Sequence, residues 1–536
     1  MKKILFLLVL LTLSNLNFAL ANPEKIDMAK WQYNSAENVF YQLGIKYCDN
    51  PLDEKYEKLA IFVPAQYMQC SQNDDETYSC KIDKKAKINA YTAQNAPIVI
   101  PVETPGYSAN PALTDYKSVW EYTSEGFIYV YIGCRGKEHG APAGVVDLKA
   151  GIRFIKYNKN LIPGDKIFTF GMSGGGAQSV IIGVSGNNKM YEPYLKQIGA
   201  VMNKGDDIYG SMSWCPITNL DTANEAYEWN MGMSRTNLEK NIQKLSSDMA
   251  KNYADYVNNT KFRREDGILL TLRETNHGIY QGGNYYKYLE NVVNQSLTNF
   301  LADTLFPVDM DIYGKEEGFV SKIKFADENE EELEDVEAPH KIYNSAEEYV
   351  EALNKDKKWI DYENYKVQIL SLEDFVKHMK PATKPVGAFD GLEKQQGENL
   401  LFGQNGTPSH FDENTAQLLE NTKYSKEFSK DFEKVDNMGN TLKTRMNMYN
   451  PLYFILPSYK GYKTSKVAKF WRIRTGLSQT DTPLTTEVNL VLALKRFVGS
   501  KNVDFETIWG CAHVKAERRG TSSENFVKWV NKCLNN

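Results

Sequence analysis

The chain carries no surplus of positive charge. Lys and Arg number 63 against 68 Asp and Glu, a formal net charge of −5 with a pI near 5.9. That gives no sign of the basic surface a nucleic-acid partner requires, and none is expected. Cysteine is also sparse. There are seven, an odd number, and no two form a C-x-x-C pair. No metal or cofactor is expected, and a chain of 536 residues does not need disulfides to fold. Cys70 and Cys80 are close enough in sequence for a local bridge. After the first residues there is no apolar run long enough to cross a bilayer. There is no internal repeat.

The start of the chain is distinctive. Lys2 and Lys3 precede an apolar run from Ile4 to Leu13, and Ala19-Leu20-Ala21 supplies small residues where a signal peptidase reads. A secretory signal peptide over 1–21 is expected, with cleavage before Asn22 and a periplasmic or secreted product. The run is short for an anchor helix, and no lipidation cysteine follows it. Without Lys2 and Lys3 the basic count is 61 against 68 acidic, a net charge of −7.

From about 58 to 180 strands and helices alternate. Leu59–Val63, Ile98–Val102, Phe127–Ile132 and Ile167–Phe170 read as strands. Val145, Leu148, Ile152 and Ile155 recur at helical spacing. This alternation predicts a mostly parallel sheet with helices on both faces. From about 220 the text becomes rich in Asn, Tyr, Lys and Glu, with an acidic stretch at Asp327–Glu337 that reads as a solvated segment. Strand-like text returns at Lys466–Ile473 and Val503–Trp509, followed by a Thr521-x-x-Glu524 capping box. The expected division is 22–219 and 451–536 for the two parts of one core, with 220–450 inserted between them. Asp309-x-Asp311 with Gly314 resembles a calcium loop but lacks its other acidic ligands.

Gly171-Met172-Ser173-Gly174-Gly175 is a G-x-S-x-G pattern. The pattern is common, and its weight comes from its flanks. A strand must lead in and a helix must lead out, so that the serine sits on a sharp turn with its hydroxyl exposed. Ile167–Phe170 supplies the strand and Gly176–Val184 the helix. The glycines fit a turn too tight for side chains. The fold class expected is therefore α/β, an α/β-hydrolase fold with a large inserted, mainly helical lid.

A serine nucleophile needs a base, and the base an orienting acid. The histidines are His139, His277, His340, His378, His410 and His513. In this fold the order is serine, acid, histidine, and only His513 follows the last strand. Asp481, after Trp471–Arg474, is the expected acid. Asp221 is the rival, one strand earlier, and Glu487 falls inside the next helix. Backbone N–H groups of Gly174 and Gly106 are the expected oxyanion hole, although Pro105-Gly106 also reads as an ordinary turn.

These residues carry a resemblance. Gly171–Ser179, Tyr191–Leu195, Cys134–Gly136 with Gly144–Lys149, the run Trp471–Leu490, and His513 together resemble the bacterial tannases, the tannin acyl hydrolases. The resemblance implies a serine esterase that hydrolyses galloyl esters, a small-molecule phenolic substrate, to gallic acid. It also implies an acid about thirty residues before the histidine; Asp481 and His513 stand 32 apart. It implies that Lys384 and Glu398, in the lid, grip the galloyl hydroxyls. The family pattern can show two acidic residues near Asp481, but here Gln479 and Pro483 stand two residues away on either side. A feruloyl or other aromatic carboxylesterase, an exported serine peptidase, and a non-catalytic exported binding protein of the same fold are the alternatives.

Overall fold

The computed structural model describes residues 23–275, 278–315 and 338–535. The expected signal peptide, His277 and the acidic stretch 327–337 lie outside the described residues.

One nine-stranded sheet organises the chain. Its strands are β1 (Gln32–Asn34), β2 (Val39–Lys46), β3 (Lys58–Pro64), β4 (Ile98–Val102), β5 (Ile128–Ile132), β6 (Ile167–Met172), β7 (Gly210–Trp214), β8 (Phe470–Gly476) and β9 (Val503–Ile508). Their spatial order is β1-β2-β3-β5-β4-β6-β7-β8-β9. The pairs from β5 to β9 are parallel, and those among β1, β2, β3 and β5 are antiparallel. Every residue of β4, β5 and β7 is buried, as strands covered on both faces must be; β4 and β5 are largely apolar, while the two serines of β7 are satisfied by hydrogen bonds to Ser179 and Gly176. β2 instead alternates toward solvent in its second half, as a strand near the open side does.

Helices α1 (Ala143–Tyr157), α2 (Ser173–Val184), α3 (Leu484–Val498) and α4 (Ser522–Leu534) flank this sheet. α4 begins with the expected capping box, Thr521 and Glu524 each satisfying the other's backbone N–H. Buried ion pairs tie helix to strand. Arg135, just past β5, grips Asp147 of α1 through two bonds of 2.9 and 2.7 Å.

The sheet leaves off at Trp214 and resumes at Phe470. The intervening chain is mainly helical, with long helices at Lys240–Thr260 and Asn284–Asp303 and three two-stranded ribbons. Asp311 accepts from the backbone N–H of Tyr313 and Lys315, so the loop that resembled a calcium site is a turn closed on itself. Among the described residues no cluster of His, Cys, Asp or Glu could hold a metal, and no helix is long and apolar enough to cross a membrane.

Cys70 and Cys80 are disulfide-bonded across a short antiparallel ribbon. Cys48, Cys134, Cys215, Cys511 and Cys533 are buried as thiols. Alkylation without reductant is expected to modify five cysteines in denaturant and almost none in the native protein, read by intact mass. A count of seven in denaturant would remove the bridge.

Candidate active site

β6 runs directly into α2, and the joint is Ser173. Its φ is +57°, a left-handed backbone that a side chain tolerates poorly and that turns the chain sharply. Packing around the joint requires glycine. A Cβ on Gly175 would lie 2.1 Å from the Val102 carbonyl oxygen, and one on Gly174 would lie 2.5 Å from the Tyr107 nitrogen. The loop from Val102 to Tyr107 therefore presses against the first turn of α2. Gly106, with φ +51°, sits in that loop beside Ser173, on the wall of the same cavity.

Ser173 Oγ lies 2.8 Å from His513 Nε2. His513 is carried by the loop after β9, and Glu517 anchors that loop. Its carboxylate accepts from Trp214 of β7 at 2.8 Å and from Arg472 of β8 at 2.7 Å. Gly476, at the end of β8, admits the loop closely: a Cβ there would stand 1.9 Å from the Ala512 carbonyl oxygen. Ser478 N–H then donates to the Cys511 carbonyl at 3.0 Å, joining the loops after β8 and β9.

On the far side of the imidazole the structure departs from the sequence expectation. The hydrogen bond expected of Asp481 is made by Gln479, whose Oε1 lies 2.7 Å from His513 Nδ1. Asp481 Oδ2 is 3.7 Å from Nδ1, outside hydrogen-bond range, and its Oδ1 is 3.8 Å from Lys384 Nζ. The reason is local. The turn from Gly476 folds back toward the loop after β9, and Gln479 falls on its inner side while Asp481 falls two residues on, facing the cavity. Residue spacing places both near the histidine and cannot choose between them.

Lys380 escaped the sequence reading, and Glu487 was set aside there as a residue of the next helix. Gln479 Nε2 donates to Glu487 Oε1 at 2.7 Å, and the Lys380 ammonium donates to the Gln479 carbonyl. Both Glu487 and Lys380 are buried. Burial pushes the Glu487 carboxyl up, to about 7, with Lys380 opposing, and pushes the Lys380 ammonium down, to about 8. A signal existed for Glu487, an acid in the first turn of a buried helix.

Lys384 and Glu398 come from the inserted segment and meet Ser173, His513, Asp481 and Gly106 around one cavity of about 610 Å³. Lys384 Nζ stands 4.5 Å over the Phe389 ring. Burial raises the Glu398 carboxyl above the usual range, against the pull of Lys384. Burial works to raise the Asp481 carboxyl as well, but His513, Lys384 and Lys380 outweigh it and hold it low. Asp221 is elsewhere, accepting from Tyr459 at 2.7 Å. Of the other described histidines, His139 faces Asp53, His340 faces Asp309, His378 stacks on Trp359, and His410 is buried against Asp390.

Burial lowers the His513 imidazole below its ordinary range, Lys384 and Lys380 adding to it while Asp481 opposes. The ring is thus held toward its neutral form, which carries one proton. An NMR titration of the His513 ring is expected to give a midpoint below about 6.5; a midpoint above that value would contradict the burial. Gly476→Ala should lower stability by ~1–3 kcal/mol, because backbone cannot yield as a side-chain tip does. Thermal unfolding measures this.

Residues 87–261 match the BD-FAE family model. Comparison with curated proteins finds no match. Among solved structures, the tannase of Fusobacterium nucleatum is 26% identical, with 92% of this chain and 95% of that one covered and a TM-score of 0.69. The tannin acyl hydrolase from Lactobacillus plantarum is 24% identical, with 92% and 94% covered and a TM-score of 0.68. A tannin acyl hydrolase in complex with ethyl gallate gives the same identity, coverage and score. The chain is thus an α/β-hydrolase-fold carboxylic ester hydrolase, similar over nearly its whole length to bacterial tannases.

Proposed function

We propose that the chain hydrolyses galloyl esters, such as hydrolysable tannins and alkyl gallates, through an acyl-enzyme on Ser173. The observation that carries this reading is the convergence of the Ser173–His513 pair with Lys384, Glu398 and Asp481 on one cavity. A ring with three adjacent hydroxyls offers donors and acceptors side by side. A cation flanked by carboxylates matches that pattern, whereas an apolar wall would not discriminate it. The solved structure with ethyl gallate supports the same substrate class.

In this reading Ser173 Oγ attacks the ester carbonyl as its proton passes to His513 Nε2. The N–H groups of Gly174 and Gly106 hold the oxyanion, at the positive end of α2. His513 returns the proton to the leaving alkoxide as the ester C–O bond breaks. Water then attacks the acyl-enzyme, giving its proton to His513, and Ser173 regains a proton as the acid leaves. Asp481 supplies negative charge beside the transient imidazolium, with Gln479 holding the ring. The inserted segment acts as the lid that completes the acyl pocket. The leader-like start and the Cys70–Cys80 disulfide support work outside the reducing cytoplasm.

Ser173→Ala is expected to lower turnover of propyl gallate by a factor on the order of 10⁴–10⁶ with unfolding unchanged. Retained activity would remove Ser173 as nucleophile. Absence of fluorophosphonate labelling would favour a binding protein. Faster turnover of methyl ferulate than of propyl gallate would favour a feruloyl esterase, and cleavage of amide analogues a peptidase. Lys384→Ala and Glu398→Ala should each lower kcat/KM for gallate by about 10- to 100-fold, the scale of a lost hydrogen bond to a charged group. Equal losses on an ester lacking the ring hydroxyls would remove the lid pair from recognition.

A further inference from the structure

Behind His513 stands a neutral amide, and behind the amide a buried carboxylate. Gln479 Oε1 lies 2.7 Å from His513 Nδ1, while Gln479 Nε2 donates to Glu487 Oε1 and to Thr475 Oγ1, both at 2.7 Å. Thr475 Oγ1 also donates to Glu487 Oε1, at 3.0 Å. Glu487 lies in the first turn of α3 and has no solvent exposure.

A primary amide can turn either end toward an imidazole. If its nitrogen faced Nδ1, Nδ1 would have to accept, and the ring proton would sit on Nε2, pointing at Ser173. Such a ring cannot take the serine proton. If its oxygen faces Nδ1, the ring proton sits on Nδ1 and the Nε2 lone pair faces Ser173. Glu487 decides between them. In its ionised form it can only accept, and its Oε1, which Thr475 Oγ1 also reaches, holds the amide nitrogen on its own side. The Gln479 oxygen is then committed to the histidine. Lys380 fixes the Gln479 backbone through the carbonyl and supplies compensating positive charge.

We infer that Glu487 is a positioning residue that acts through the Gln479 amide to hold His513 in its Nδ1–H tautomer. The relay does at one remove what a carboxylate in direct contact does in other serine hydrolases. Asp481, 3.7 Å from Nδ1, contributes charge but does not orient the ring. The inference rests on the reading of Ser173 and His513 as nucleophile and base.

Three measurements test it. In ¹⁵N-histidine NMR of the parent protein above the ring's titration midpoint, with the resonances assigned against His513→Gln, the His513 proton is expected on Nδ1. A proton on Nε2 overturns the relay without any variant at Glu487. Glu487→Gln replaces the obligatory acceptor with a group of equal shape that can also donate. It is expected to lower kcat on propyl gallate by about 10²-fold with KM little changed, and to add the Nε2–H tautomer to the spectrum. The double variant Gln479→Glu, Glu487→Gln places a carboxylate of the same reach directly on Nδ1 and is expected to recover at least tenfold of that loss. A purely structural Glu487 predicts no recovery, and parent-level kcat in Glu487→Gln likewise overturns the relay. An enzyme that turns over gallate without Ser173, or that fluorophosphonate does not label, fails at the underlying reading and takes the relay with it. A labelled, active parent with an unaffected Glu487→Gln variant fails at the relay alone.

Discussion

The steric crowding at the β6–α2 joint governs the geometry of everything around it. Ser173 occupies left-handed backbone because the strand must end and the helix begin within one residue. The Val102–Tyr107 loop closes on that joint so tightly that no Cβ fits at Gly174 or Gly175. The same compression presents the hydroxyl, directs the start of α2 at the cavity, and brings the Gly106 backbone alongside. None of these is adjustable without the others, so the glycines read as one unit rather than as separate concessions to flexibility.

Electrostatics forms the second layer. His513, Asp481, Glu487, Lys380 and Glu398 are withdrawn from water around Ser173, with Lys384 among them. In such surroundings an unpaired charge is costly, and the site answers by alternating signs. Lys380 lies between the influence of Glu487 and Asp481, and Lys384 lies between Asp481 and Glu398. The field at the imidazole is therefore set by several groups, and no single carboxylate makes both the contact and the charge balance.

The sheet and its central joint were legible because their signals are local and redundant. An apolar run entering a G-x-S-x-G turn, a helix behind it, and a capping box at Thr521 each specify their own geometry. His513 was legible by elimination, since six histidines leave one after the last strand. β1 was missed because three residues are too few to show a period, and β2 because its pattern changes midway, from mostly buried to half-exposed. The orienting contact on His513 was misplaced for a different reason. Gln479 and Asp481 differ by one ångström in reach, and that difference is decided by how the loop after β8 meets the loop after β9. Such a contact between distant loops leaves no trace in residue spacing. Lys384 and Glu398 were visible only through resemblance, because their neighbourhood in the inserted segment has no motif of its own.

The sheet also has a temporal side. β7 pairs with β8 in register from Gly210 with Phe470 to Trp214 with Arg474, across roughly 260 residues of intervening chain. At ~5–20 residues per second, synthesis of that stretch occupies on the order of 10–50 s. Throughout that interval the ribosome has delivered Ser173 and its turn, but the outer flank of β7 has no strand to pair with. An unpaired strand edge, with its free backbone N–H and C=O groups, is a template for foreign strands. The hydrolytic centre therefore cannot exist until the last eighth or so of the polypeptide has arrived.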